Sequence, residues 1–272
     1  MKVEERTLLG REALYSIREF FKASLGSERM FMRIARASKL EVFFLLWLLQ
    51  SFLIIVGNYF VSSKIKYNYL NIPYWVTSAD IWIVEDRALN LAVIKSLLVV
   101  PGVLIALILG RVIVMKVLGE GLRGKAYLSS AVTAFSATLV PECLRVVVMY
   151  AIHLLRLPPE VLVDFDLSGA KSSRYLASLG TKIAQELHMI YEFNPWGVLI
   201  ITSIFLAWET FLFYKIFRII YRLDVNKAVV ATFILSTITG WMNIYTSIIP
   251  WTPKYFVDPF EFRPPPPPVP VG

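Results

Sequence analysis

Three ionisable residues fall deep inside long apolar runs, and chemistry would be centred on them. Glu142 and Arg145 stand three positions apart. On a helix that spacing puts them on one face, where they can pair. Glu209 lies in Ala207-Trp208-Glu209-Thr210, at similar depth in a separate run, within reach of Arg145 across a helix interface. A charge at the centre of a bilayer costs at least about 2.5–3.5 kcal/mol, so such groups must pair or line a wet cavity. A carboxylate–guanidinium cluster of this kind can move protons or hold a polar solute. It can equally do no more than fix the register of packed helices, and register-fixing is the simpler reading.

Other chemistries find little support. One cysteine, Cys143, permits neither an intrachain disulfide nor a cysteine-cluster metal site. His153 and His188 are too far apart for a zinc-helix spacing, and no phosphate-cradling or nucleophile-elbow motif occurs. No catalytic residue, metal or cofactor is therefore expected, and the chain reads as non-enzymatic. The first 30 residues lack a signal peptide's apolar core and cleavage site. No Asn-x-Ser/Thr acceptor is present.

The elements that must position these residues are membrane spans. Apolar residues make up 57% of the 272, charged residues only 18%, and mean hydropathy is +0.61. That excess over a soluble chain calls for lipid as solvent. Five stretches supply the roughly 20 apolar residues that a span needs: about 42–61, 91–118, 127–155, 196–221 and 228–249. The expected fold is all-α, a polytopic bundle of five spans occupying 42–250. A cytosolic segment, 1–41, precedes it and a Pro-rich external tail, 251–272, follows. Pro101 and Pro141 should kink their helices, as neighbours in a bundle allow. Small residues from Ser129 to Ala137 mark the third span as a packing surface.

Charge orients the bundle. The segment before the first span and the second–third and fourth–fifth connections hold seventeen Lys/Arg, Arg111 counted among them, against nine in the remaining connections and tail. The positive-inside rule then places the N-terminus in the cytoplasm and the C-terminus outside. Much of the net charge of +8 is thereby a topology signal rather than a grip for nucleic acid, and no nucleic-acid partner is expected. Leu14, Ile17, Phe20, Phe21 and Leu25 project on one side of a helix, and Arg11, Glu12, Arg18, Glu19 and Lys22 on the other. Such an amphipathic helix suits the anionic headgroups of the inner leaflet, or else packs on the ends of the spans. The short inner connections offer Arg123, Lys125, Arg222 and Lys227 to a partner. Tyr67, Trp75, Trp82 and Tyr191 in the longer outer loops read as an interfacial belt. The segment 171–191 has helical character, and Pro264–Pro268 is a stiff polyproline spacer.

Local motifs add a resemblance. Gly121-Leu-Arg-Gly124-Lys125-Ala-Tyr127 leads into Ala134-Phe135-Ser136 and Pro141, and Trp208…Tyr214-Lys215 leads into Asp224-Val-Asn226-Lys227-Ala228. With five spans and a cytosolic N-terminus, this resembles the Yip (Ypt/Rab-interacting) family of membrane proteins, in its prokaryotic form, best over 90–235. The resemblance implies a non-enzymatic adaptor; eukaryotic members act in vesicle traffic with prenylated GTPases, a partner that does not carry over to a prokaryotic cell. Glu142 and the long aromatic outer loops depart from the family's pattern. The expectation is thus a membrane scaffold that presents its inner loops and amphipathic helix to a membrane or cytosolic protein, of undetermined oligomeric state. The alternative is a transporter-like permease, or a subunit of a larger membrane complex, working through Glu142, Arg145 and Glu209.

Overall fold

The computed structural model describes residues 21–37, 40–71, 74, 78–166 and 193–248. Among them run the helices α1 (Glu28–Ala37), α2 (Leu40–Ser62), α3 (Ser78–Gly121), α4 (Leu128–Phe135), α5 (Leu139–Arg156), α6 (Pro195–Lys215) and α7 (Val225–Ile248). Two strands, β1 (Ile65–Leu70) and β2 (Val161–Asp166), complete the described elements. The chain is all-α in character, and five segments are long and apolar enough to cross a membrane: Leu40–Val61, Val100–Gly121, Leu128–Arg156, Pro195–Ile220 and Val225–Ile244. The amphipathic stretch up to Phe20, the helical stretch expected at 171–191 and the Pro-rich tail lie outside the described residues.

The second span lies within a helix that starts at Ser78, and Val100–Gly121 of it is long and apolar enough to cross a membrane. Arg111 is buried in this helix and pairs with Glu142 of the third span, where the sequence expectation counted it with the inner connection. The third span is two helices. A 3-10 turn, Ser136–Thr138, separates α4 from α5 just ahead of Pro141. Proline lacks an N–H and its ring crowds the carbonyl four residues back, here Ala137, so the continuous helix gives way there.

The chain divides into two compact units, the first formed by residues 1–54, 101–150 and 195–247. Its core holds Phe31, Phe43, Met115, Phe135, Phe213, Phe217 and Tyr221. Stacking of Phe135 on Phe213, with ring centroids 6.1 Å apart, ties α4 to α6. The indole Nε1 of Trp47 donates to the Pro101 carbonyl at 3.0 Å and ties α2 to α3. Outward-facing Phe52, Ile113, Ile204 and Phe233 remain largely exposed, as lipid-facing side chains do. Tyr127 and Trp196, also exposed, stand at the starts of α4 and α6 where aromatic anchors collect.

Residues 21–37 pack into this unit. Ala23, Ser24 and Phe31 are fully buried, α1 lies on α4 and on the π-helical turn Ile216–Ile220, and Trp208 Nε1 donates to the Ser24 carbonyl at 2.6 Å. Lys215 closes the contact by an ion pair with Glu28. This part of the N-terminal segment is therefore seated on the ends of the spans. It keeps an exposed side that carries Phe21, Lys22, Leu25, Arg29 and Met32.

The second unit comprises 55–100, 151–194 and 248–272. In it β1 and β2 pair in parallel, Ile65 opposite Val161 through Leu70 opposite Asp166, a pairing that sequence reading did not anticipate. Two spans separate the strands in the chain, so an even number of crossings returns β2 to the side of β1. Lys64 Nζ reaches the Leu154 carbonyl at 2.7 Å and the Leu157 carbonyl at 3.3 Å, placing a cation where α5 leaves acceptors unpaired.

Candidate functional site

Two features of the first unit gather the candidate site residues, and the first lies within the candidate membrane spans. Glu142, in the first turn of α5, is 1% exposed. Its Oε1 accepts from Arg111 Nη1 at 2.9 Å, and its Oε2 accepts from Arg145 Nε at 2.9 Å and Nη2 at 2.8 Å. Both carboxylate oxygens are thus held by guanidinium groups, one from α3 and one from its own helix. The second Arg111 Nη donates to Asn243 Oδ1 on α7, and Asn243 Nδ2 donates to Glu209 Oε2 on α6 at 3.5 Å. Arg145 Nη1 also meets Met149 Sδ at 3.4 Å. Four helices are joined through one chain of polar contacts, Arg145–Glu142–Arg111–Asn243–Glu209.

Sequence reading named Glu142, Arg145 and Glu209, and the structure brings all three into this chain. It missed Arg111, counted as an inner-loop cation, and Asn243. Glu209 joins through Asn243, not by a direct bond to Arg145. The signal for Asn243 was available. Thr232, Ser236, Thr239 and Asn243 recur at intervals of four, three and four, one face of a helix, and all four are buried.

Two buried polar atoms of the cluster, Glu209 Oε1 and Arg111 Nε, are without a hydrogen bond, as are the buried hydroxyls of Thr202 on α6 and of Thr232, Ser236 and Thr239 on α7. By contrast Thr210 and Thr237 return theirs to the carbonyl four residues back. No group of three or more His, Cys, Asp or Glu suited to a metal occurs among the described residues.

The second feature is the pair of loops that join α3 to α4 and α6 to α7. Gly124 N–H bonds the Gly119 carbonyl at 2.8 Å and Arg123 N–H bonds the Glu120 carbonyl at 2.9 Å. That is a Schellman ending, in which glycine usually fills the left-handed position. Here Arg123 fills it, at φ 69°. The other loop repeats the choice, with Arg222 at φ 54° directly after the π-helical turn. The loops touch. A Cβ on Gly124 would lie 2.8 Å from the Gly119 carbonyl oxygen and 2.9 Å from that of Tyr221, and one on Gly119 would strike the Tyr221 ring at 2.3 Å. Burial, then the Glu120 carboxylate, push the Tyr221 phenol above its ordinary range.

Arg123, Lys125 and Arg222 are exposed on these joined loops, and Lys227 is exposed in the first turn of α7. Asp224 caps α7 by accepting the Lys227 N–H at 2.9 Å, and that bond holds its carboxyl below the ordinary range. Glu28 is lowered too, by its hydrogen bond and ion pair with Lys215. Of the four cations expected from sequence to face a partner, three therefore stand on two loops that meet at Gly124, and Lys227 follows in the first turn of α7. The chain matches no protein-family model, no curated protein and no solved structure.

Proposed function

We propose that this multi-pass membrane protein is a non-enzymatic adaptor of Yip-like type, whose joined loops 122–127 and 221–227 form a cytosolic cationic platform for an acidic segment of a membrane or cytosolic protein. One observation carries the reading: Arg123 and Arg222 both occupy left-handed backbone positions in loops that meet at Gly124. A non-glycine residue in that region costs about 1–3 kcal/mol and persists where the surroundings hold it or function requires it. Glycine would end both helices more cheaply, and arginine at both positions supports a role for the two side chains. The excess of cations on these connections puts the platform in the cytoplasm, with the C-terminus outside. The exposed side of 21–33, with Phe21, Leu25 and Met32 beside Lys22 and Arg29, rests on the anionic headgroups of the same leaflet.

Affinity purification in mild detergent tests the adaptor reading. The wild-type chain is compared with a variant carrying Arg123→Gly, Lys125→Ser, Arg222→Gly and Lys227→Ser. The expected result is a partner with an acidic segment that is held by the wild type and lost from the variant. Equal capture by both would contradict it.

A second reading, a transporter-like permease or an accessory subunit of a larger membrane complex, is favoured by a different observation. An ion pair that only fixed helix register would not need the unpartnered Glu209 oxygen, nor the unpartnered hydroxyls on the α7 face that carries Asn243.

A further inference from the structure

We propose that Glu209 is a proton-exchange site within the membrane, and that Thr239, Ser236 and Thr232 relay protons between it and the end of the bundle at which α7 begins. The inference is independent of the adaptor platform. It rests on the second reading only in giving that reading a substrate, the proton.

Glu209 is fully buried on α6, fifteenth of the 26 residues in its span. Its Oε2 has one donor, Asn243 Nδ2 at 3.5 Å, and its Oε1 has none. Among the described residues it takes part in no ion pair within 4.0 Å. The charged groups that bear on it are Glu142 and Arg145 from α5 and Arg111 from α3. The guanidinium groups are engaged elsewhere: both oxygens of Glu142 are already held by Arg111 and Arg145. A buried carboxylate with no direct ion pair and a single long hydrogen bond is costlier than a buried carboxylic acid. A proton on Oε1 turns the orphaned acceptor into a donor and removes the repulsion between the two carboxylates.

The relay follows from the α7 row. Thr232, Ser236 and Thr239 are each buried, and each hydroxyl is without a partner. Residues three and four apart on one helix face stand about 5–6 Å apart. That is about twice an O–H···O distance of ~2.8 Å, so one water fits between successive hydroxyls. Thr232 is seven residues from Val225, about 10 Å of helix from its start. A proton delivered by hydronium adds to the water next to Thr232. Each hydroxyl accepts one proton and releases its own to the next water, and the last transfer forms the O–H bond on Glu209. Release runs the same steps in reverse, and no electrons are exchanged.

The test uses the full chain reconstituted in neutral-lipid nanodiscs. Infrared difference spectroscopy follows the carboxylic-acid C=O stretch in H2O and D2O. The expected result is an acid band that shifts in D2O, disappears in Glu209→Gln and persists in the wild type. In the Thr232→Val, Ser236→Ala, Thr239→Val variant the band remains but its deuterium exchange slows at least tenfold. A hydrophobic carbodiimide, which modifies protonated carboxyls, gives a variant-free check: peptide mass spectrometry should find the adduct on Glu209 and not on Glu142. The proposal is overturned if no band is lost in Glu209→Gln, if the relay variant exchanges as fast as wild type, or if the adduct falls on Glu142 alone. Proton flux in liposomes separates this site from the second reading. A labelled, exchanging Glu209 without flux supports the proton site and counts against the permease.

Discussion

Arg111 and Glu142, 31 positions apart in the chain, form an ion pair of 2.9 Å between two membrane spans, with side chains 7% and 1% exposed. Arg145 holds the other oxygen of the same carboxylate. Removing one partner of a buried pair leaves the other charge uncompensated, at about 3–5 kcal/mol. Arg111→Leu should therefore lower the thermal stability of the detergent-solubilised protein by that order. In a double-mutant cycle with Glu142→Leu the two losses should be non-additive by at least about 1 kcal/mol. Additive losses would mean that the two side chains do not interact.

The left-handed arginines make a prediction in which stability and binding move in opposite directions. Arg123→Gly and Arg222→Gly should each relieve backbone strain and raise stability by about 1 kcal/mol. Each should also weaken partner capture. A β-branched replacement at the same positions, such as Arg123→Val, should destabilise instead. If glycine stabilises neither site, the arginines do not sit in strained backbone.

Gly124→Ala tests whether the two loops form one platform. The new methyl group would meet two carbonyl oxygens at under 3 Å, and backbone oxygens give way less easily than side-chain ends. The expected result is a lower melting temperature together with weaker partner capture, although no charge has changed. Unaltered melting and capture would show that the loops are not held together at this glycine.

Acid should loosen the start of α7. The Asp224 carboxyl is held below its ordinary range by the Lys227 N–H, so its contribution is complete above the unfolded value of about 3.9 and is lost as pH falls through the lower folded value. Exchange protection at Lys227 and Ala228, taken relative to the intrinsic rate at each pH, should fall below about pH 4 in the wild type. In Asp224→Ala that protection should be low already at neutral pH. Equal exchange in both proteins at neutral pH would mean that Asp224 is not the cap.

Much of this was legible in the sequence. Apolar run length identifies five spans because lipid requires it, and three rare ionisable residues stood out against that background. Arg111 was counted with the inner connection because it falls late in its apolar run, and only tertiary structure brings it to Glu142, 31 positions away. Asn243 went unnoticed because an uncharged residue in an apolar run is conspicuous only once its helical partners Thr239, Ser236 and Thr232 are lined up. The pairing of β1 with β2 joins segments some 90 residues apart in the chain, and no local pattern encodes it. The joined loops were invisible as well. Arginine in a left-handed position contradicts the preference that sequence reading relies on, and the contact at Gly124 is tertiary.

Position-specific photocrosslinking in intact cell membranes tests the adaptor account most directly. The photoreactive residue replaces Lys125 on the exposed loop platform, and in a parallel chain replaces Lys66, which is exposed on β1. The account predicts a discrete adduct from position 125 to a protein with an acidic segment, absent from position 66 and abolished when Arg123 and Arg222 are both changed to glycine. Adducts from both positions alike, or an adduct from 125 that survives loss of the two arginines, would contradict it.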